Sequence, residues 1–400
     1  MLDKQVSVIG LGYMGLPTAA VLANAGYQVT GVDINPSVVE AVNKGETHFA
    51  EPGLPEEVTN AHQSGRLRAV GTPEPADIFI IAVPTPVDTQ AKTADMSYVR
   101  AAAKSIAPVL TPENLVILES TSPMGATEAD VRDVILAERP DLAEKIHFAF
   151  CPERAIPGDT LRELIHNDRY IGGLTPEATD YTLAFYQTFI KGELHPATAR
   201  VAELVKLVEN TSRDVQIAFA NELHYVCDYI NVDVREVIRL ANLHPRVNIM
   251  VPGTGVGGHC IPIDPWFIVQ AAPEVTPLMR TAREVNDSKP AWVVGQIHTA
   301  LKENRAAKVA LMGLAYKPNV EDLRESPSLE VFRQLQQQIP AEQLMIAEPH
   351  LTAFPEAPLT EAQQAVDTAD VIVFLTAHDA FKNLNIPADK TVLDICGVRR

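Results

Sequence analysis

A chain of 400 residues is too long for one compact core, and at about 150 residues per domain it predicts two to three domains. Hydrophobic residues make up 46% and charged residues 21%, close to the globular average, which excludes a disordered or fibrous protein. With 33 Lys+Arg against 51 Asp+Glu the formal charge is −18, so general affinity for nucleic acid or an anionic membrane is not expected, and an anionic ligand must meet a local basic cluster.

No apolar run approaches the roughly 20 residues that span a bilayer, and the first residues lead directly into a strand-like segment. A soluble, cytoplasmic protein without a membrane partner is expected. Cys151, Cys227, Cys260 and Cys396 are scattered, with no CxxC pair, so neither disulfides nor structural zinc are expected. The 11 histidines include no HxxxH pair, and no metal is predicted.

The chain opens with an apolar strand (Val6, Val8, Ile9), a glycine turn, an Ala/Leu-rich helix and a second strand ending at Asp33, which together make one βαβ unit. Strand-like runs follow at 77–83, 115–119 and 146–150, each separated by room for a crossover helix, and a parallel doubly wound sheet is predicted. Between 198 and 233 apolar residues such as Leu204, Val208, Phe219 and Val226 recur at helical spacing, predicting one long helix or two in tandem. A Gly/Pro-rich stretch at 252–265 interrupts the helical region, which resumes over 277–302. The last hundred residues repeat the opening order, with strands at 307–313, 369–375 and 391–395. Their glycine fingerprint is incomplete, because Gly313 is followed by Leu314, Ala315, Tyr316 and Lys317, so this part should bind a nucleotide differently, if at all. The predicted fold is α/β, with a Rossmann-like domain at 1–197, a central helical domain at 198–302 and a second Rossmann-like domain at 303–400. The apolar positions of the central helix predict a homodimer built on it.

Gly10-x-Gly12-x-x-Gly15 lies directly after a strand and opens a helix, where its glycines let a pyrophosphate approach backbone amides at the positive helix end. Asp33 ends the next strand, where a carboxylate can accept from both ribose hydroxyls. No arginine follows it, which favours NAD over NADP. Gly253, Gly255, Gly257 and Gly258 precede His259 and Cys260. So much glycine before one thiol implies close backbone approach, and a cysteine at a helix start is an activated nucleophile. His259, adjacent to the thiol, is read as a loop residue rather than its base, and Trp266 and Phe267 as packing. Lys206, Asn210 and Arg213 form one polar stripe on the long helix, where an amine can polarise an alcohol oxygen and an amide can fix it. A dehydrogenase that stops at a carbonyl has no use for a nucleophilic thiol. An aldehyde that must lose a second hydride does, since its thiohemiacetal supplies the hydride and leaves a thioester for water to cleave. The predicted reaction is a four-electron oxidation of a primary alcohol to a carboxylate with two NAD in succession.

GLGYMG, VPTP (83–86), STSPMG (120–125), CPER (151–154), KLVEN (206–210), GGHC (257–260) and YKPNVEDLRESP (316–327) stand in an order that resembles the UDP-glucose/GDP-mannose dehydrogenase family over essentially the whole chain. The resemblance implies a UDP-sugar substrate, with Cys260 as thioester nucleophile, Lys206 stabilising oxyanions beside Asn210, Asp264 and Thr121 organising water, and Glu153 as hydrolytic base. It also implies cofactor contacts from Gly10, Gly12, Tyr13, Met14, Gly15, Asp33, Thr85, Thr127 and Arg324. For the sugar nucleotide it implies Arg154, Ala155, Lys206, Asn210, Arg213, His244, Arg246, Gly257, Tyr316 and Lys317. Ile263 stands where UDP-glucose 6-dehydrogenases usually carry a lysine, and Pro157-Gly158 where they bring a second glutamate. With the residues at 244–249 and 264–268, these departures are similar to the UDP-N-acetyl-D-mannosamine dehydrogenase branch. Cys396 occupies a position where relatives often place a basic residue, with Arg399 as its candidate substitute. Rival expectations are the same chemistry on UDP-N-acetylglucosamine, UDP-glucose or GDP-mannose, a two-electron β-hydroxyacid dehydrogenase, and a non-catalytic NAD-dependent sensor.

Overall fold

A computed structural model describes residues 1–88, 92–156, 158–258, 260–302 and 304–399. His259 and Pro157, which entered the sequence reading, lie outside the described residues. The chain forms two compact units, Met1–Leu207 and Val208–Arg400.

The first unit is built on an eight-stranded sheet. In chain order its strands are β1 (Gln5–Ile9), β2 (Gln28–Val32), β3 (Leu67–Val70) and β4 (Ile78–Ile81), followed after a short antiparallel ribbon of β5 (Val87–Asp88) and β6 (Thr93–Ala94) by β7 (Leu115–Leu118), β8 (His147–Phe150), β9 (Arg169–Gly173) and β10 (Leu194–Thr198). The spatial order is β10-β9-β8-β7-β4-β1-β2-β3. The strand sequence reverses direction between β1 and β4, which is where ligands bind in open α/β sheets. Strands β4 and β7 are buried at every position, and their unbroken apolar runs fit a parallel sheet covered on both faces. Helix α1 (Gly15–Asn24) is likewise buried from Gly15 to Ala23.

The doubly wound sheet follows the sequence pattern at β1, β2, β4, β7 and β8, while β3, at one edge, was not anticipated and the other edge differs in direction. β8 and β9 pair antiparallel (Ala149↔Gly173, Phe150↔Gly172), so β9 and its parallel neighbour β10 run against the rest. Neither strand was foreseen, because RYIGG and LHPAT are short, interrupted by glycine or proline, and lack a continuous apolar run.

The helix over Ala199–Tyr229 is a single element of 31 residues that continues from the first unit into the second. The second unit adds the helices Val234–Ala241, Asp264–Ala271 and Pro277–Ala300. Its four-stranded parallel sheet comprises β11 (Val309–Met312), β12 (Leu344–Ala347), β13 (Val371–Phe374) and β14 (Thr391–Asp394), in the order β12-β11-β13-β14. Both strand faces of β11 and β13 are buried, as in the first sheet. None of the described helices is long and apolar enough to cross a membrane.

Candidate active site

The glycine loop after β1 takes its shape from contacts that only glycine permits. Gly10 has a φ of +92°, and a Cβ on Gly15 would fall 1.8 Å from the Gly10 carbonyl oxygen, so loop and helix start are pressed together. Above Gly12, by contrast, a Cβ would meet nothing within 4 Å. That open cradle next to the N-terminus of α1 fits a pyrophosphate. Asp33, at the end of β2, is oriented towards the same loop: its Oδ2 accepts from the Leu11 amide at 2.9 Å and its Oδ1 from the Asn35 amide at 2.9 Å. The remaining carboxylate lone pairs are available to ribose hydroxyls. These residues therefore fit the adenosine half of NAD.

Tyr13, in the same loop, donates its hydroxyl to the buried Glu51, which also accepts from the amides of Gly158 (3.1 Å) and Thr160 (2.9 Å). The glycine loop and the 158–160 loop thus share one carboxylate. Burial opposes ionisation of Glu51, but these hydrogen bonds outweigh it and lower its pKa. Met14 directly precedes α1, and Thr85 and Thr121 are half-buried beyond the ends of β4 and β7. Thr127 is buried and donates through its amide (2.9 Å) and hydroxyl (2.7 Å) to Glu203, which also accepts from the Gly125 amide at 2.6 Å. Burial raises the pKa of Glu203, with those donors opposing it.

Glu153 is held on both oxygens. Its Oε1 accepts from the amides of Arg154 and Ala155, each at 2.6 Å, and its Oε2 from Arg169 at 2.5 Å. Arg154 lies 4.8 Å over the Tyr170 ring and donates to the Asp168 carbonyl at 2.9 Å. Behind Glu153 is Glu119, fully buried at the end of β7, which accepts from the Tyr186 hydroxyl at 2.5 Å. Burial drives the Glu119 carboxyl up to about 7, against the opposing effect of Arg169.

In the second unit Cys260 is exposed, and its carbonyl accepts from the amides of Ile263 (3.0 Å) and Asp264 (2.8 Å), so the thiol sits on the turn that opens helix Asp264–Ala271. Asp264 is 1% exposed and accepts from the Asn210 side chain at 2.6 Å. Asn210 lies one helical turn after Lys206, which is 8% exposed. Thus Cys260, Asp264 and Asn210 are brought together. The thiol loop is packed against Tyr316: a Cβ on Gly258 would come within 2.8 Å of that ring, and one on Gly257 within 2.7 Å of the Tyr316 Cβ. Burial raises the Tyr316 phenol, and the charge of Asp322 adds to it. The Gly258 amide donates to the Arg324 carbonyl at 3.2 Å, while the Arg324 guanidinium is exposed and binds Asp322. Arg213, His244, Arg246 and Lys317 are exposed. Phe267 is buried, as expected of packing, and Trp266 half-buried. In the second sheet the amides of Leu314 and Ala315 are already taken by Glu348, at 2.7 and 3.0 Å. Cys396 is raised by burial, and the Arg399 guanidinium donates to the Leu384 carbonyl at 3.0 Å. No cluster of His, Cys, Asp or Glu that could hold a metal ion occurs among the described residues.

Residues 4–190 match the NAD binding domain of the UDP-glucose/GDP-mannose dehydrogenase family, residues 200–288 its central domain and residues 310–399 its UDP binding domain. The chain belongs to this family. Among its relatives, the NDP-N-acetyl-D-galactosaminuronic acid dehydrogenase of Ralstonia nicotianae is 48% identical over 410 residues, covering 99% of this chain and 96% of the relative. The UDP-N-acetyl-D-mannosamine dehydrogenase of Salmonella typhi is 48% identical over 420 residues, covering 99% of both. Among solved structures, the UDP-D-ManNAc dehydrogenase of Pyrococcus horikoshii superposes with a TM-score of 0.88 at 35% identity, covering 99% of this chain and 96% of that one. The protein is an NAD-dependent UDP-sugar dehydrogenase acting on a CH–OH group.

For a UDP-sugar dehydrogenase, the sequence reading missed four buried carboxylate or guanidinium groups that order the first unit: Glu51, Glu119, Arg169 and Glu203. Only Glu119 carried a local signal, a charged residue closing an otherwise apolar strand. The others declare themselves only through partners distant in sequence.

Proposed function

We propose that the protein oxidises UDP-N-acetyl-D-mannosamine at C6 to UDP-N-acetyl-D-mannosaminuronate, in two steps joined by a covalent adduct on Cys260. The observation that carries this reading is the exposed thiol on a helix-opening turn beside the Asn210–Asp264 hydrogen bond, an arrangement a simple alcohol dehydrogenase does not need. NAD, held at the Gly10–Gly15 loop and Asp33, would supply the hydride acceptor for each oxidation.

Lys206 and Asn210 stabilise negative charge on the C6 oxygen as its proton passes to solvent water. The Cys260 sulfur adds to the aldehyde carbon, giving a thiohemiacetal whose oxygen the same two side chains support. Loss of the second hydride leaves a thioester. Asp264 and Thr121 hold a water, whose oxygen bonds to the acyl carbon while its proton passes to Glu153. The carbon–sulfur bond then breaks and the thiolate is restored. Gly10, Gly12, Tyr13, Met14, Gly15, Asp33, Thr85, Thr127 and Arg324 serve the cofactor. Arg154, Ala155, Arg213, His244, Arg246, Gly257, Tyr316 and Lys317 serve the sugar nucleotide and supply the local cations that its phosphates need on a protein of charge −18.

The chain acts as a homodimer through the helix Ala199–Tyr229, supported by Val201, Val208, Phe219 and Val226, which are 42–57% exposed along it. It works in the cytoplasm, where NAD and sugar nucleotides are made. A second reading, the N-acetylgalactosamine epimer, is favoured by the Ralstonia relative. NADH formation with UDP-N-acetylmannosamine, UDP-N-acetylgalactosamine, UDP-N-acetylglucosamine, UDP-glucose and GDP-mannose tests the choice. The highest kcat/KM is expected for the first, and a preference for any other sugar replaces it.

A further inference from the structure

Arg169 opens β9 and is 3% exposed, yet it carries a full positive charge into the first unit. Its Nη2 donates to Glu153 Oε2 at 2.5 Å and to the Leu164 carbonyl at 3.3 Å. Its Nη1 reaches the Pro152 carbonyl at 3.5 Å and stands 3.9 Å from Glu119 Oε1. The guanidinium therefore hydrogen-bonds Glu153 and two backbone carbonyls, with the carboxyl of Glu119 further off at 3.9 Å, and its planar fork fixes the Glu153 oxygen against the 152–164 backbone. Glu119 has partners of its own, the Tyr186 hydroxyl at 2.5 Å and the Thr18 hydroxyl at 3.5 Å, so the hold on Glu153 is carried by Arg169 itself.

The consequence falls on Glu153. A carboxylate offers about four acceptor directions. Among the described residues three donors reach this one: Arg169 on one oxygen, and the amides of Arg154 and Ala155 on the other. One direction remains, on the oxygen that Arg169 holds in place.

We propose that Arg169 is a positioning residue for the hydrolytic half of the reaction: by clamping one oxygen of Glu153 it leaves that carboxylate a single, fixed acceptor direction, which takes the proton of the hydrolytic water. In that step the water oxygen bonds to the acyl carbon, the water proton goes to Glu153, and sulfur leaves as thiolate. This inference rests on the reading of Glu153 as the hydrolytic base. Arg169 acts on acyl release and leaves the two oxidations alone.

The test follows the covalent adduct by intact-protein mass spectrometry, beside rapid-mixing NADH traces, in the wild type, Arg169→Lys, Glu153→Gln and Glu119→Gln. Lysine keeps the charge but has no fork. Arg169→Lys is expected to keep the fast NADH burst, accumulate the acyl adduct and lose turnover by about 10- to 100-fold, the scale of a misaimed reacting group. Glu119→Gln keeps the Glu153 side of the clamp and is expected to turn over within about threefold of the wild type without adduct. A purely structural role for Arg169 would lower burst and turnover together and leave no adduct, which overturns the proposal. Adduct accumulation in Glu119→Gln overturns it too, even if no Arg169 variant folds. If Glu153→Gln accumulates adduct and Arg169→Lys does not, the positioning role fails while the base assignment stands. If Glu153→Gln shows none, the base assignment itself is wrong.

Discussion

Replacing Glu119 by glutamine should change how stability depends on pH, and by an amount the burial of this residue sets. The residue is 3% exposed, and its carboxyl is raised from 4.5 to about 7, first by burial and then by the nearby Glu153, against the opposing charge of Arg169. A folded state that binds the proton more tightly than the unfolded chain is favoured by acid. The contribution is fully present below about 4.5 and is lost as pH rises to about 7. At 1.36 kcal/mol per pH unit, the difference is about 3 kcal/mol across that window. For a unit the size of Met1–Leu207 this corresponds to about 6–12 °C in thermal midpoint. Glutamine keeps an acceptor for the Tyr186 hydroxyl but cannot titrate. Denaturant unfolding of the wild type and Glu119→Gln from pH 4.5 to 8 isolates the effect, because other carboxylates cancel in the difference. The wild type should lose about 3 kcal/mol relative to the variant as pH rises. A difference that stays flat, or runs the other way, refutes the claim that Glu119 is buried with its proton near neutrality.

Gly257→Ala should cut turnover by about 100-fold or more while NAD binding, measured by fluorescence titration, stays intact. The new methyl would lie 2.6 Å from the Glu325 carbonyl oxygen, 2.7 Å from the Tyr316 Cβ and 2.9 Å from Pro327, so the thiol loop must shift; unchanged turnover would contradict that packing. Lys289 is fully buried, with its ammonium 3.9 Å from the Trp292 ring centre and 4.3 Å from that of Tyr225, and burial depresses its pKa to about 7. The folded state then releases its proton before the unfolded chain does, so stability should rise between about pH 7 and 10.5. Lys289→Met should flatten that rise in denaturant titrations at pH 6.5 and 9.5, and a variant that keeps the wild-type slope would show that the amine is not the cause.

The residues legible in the sequence are those whose meaning is local. Gly10, Gly12 and Gly15 declare a tight loop by spacing alone, and Asp33 follows from its place at the end of the second strand. The long helix, the strand at 115–118 and the glycine-rich approach to Cys260 are equally local patterns. What escaped notice depends on distant pairing. Glu51 meets Gly158 and Thr160 over more than a hundred residues, and Glu203 caps the Gly125–Thr127 turn from another element. Arg169 had no visible context because its strand was not recognised, and the antiparallel turn of the sheet at β8 and β9 was hidden with it. The sugar epimer leaves no such mark, since Ile263 and the residues around it record what is absent from the site rather than what is held there.

The central claim is that the thiol of Cys260 carries the substrate between two oxidations, and the NADH formed per UDP-sugar consumed, compared between the wild type and Cys260→Ser, tests it most directly. The account predicts two NADH and a uronate from the wild type, and no uronate from Cys260→Ser. One NADH per sugar in the wild type, or full uronate yield without the thiol, would contradict it.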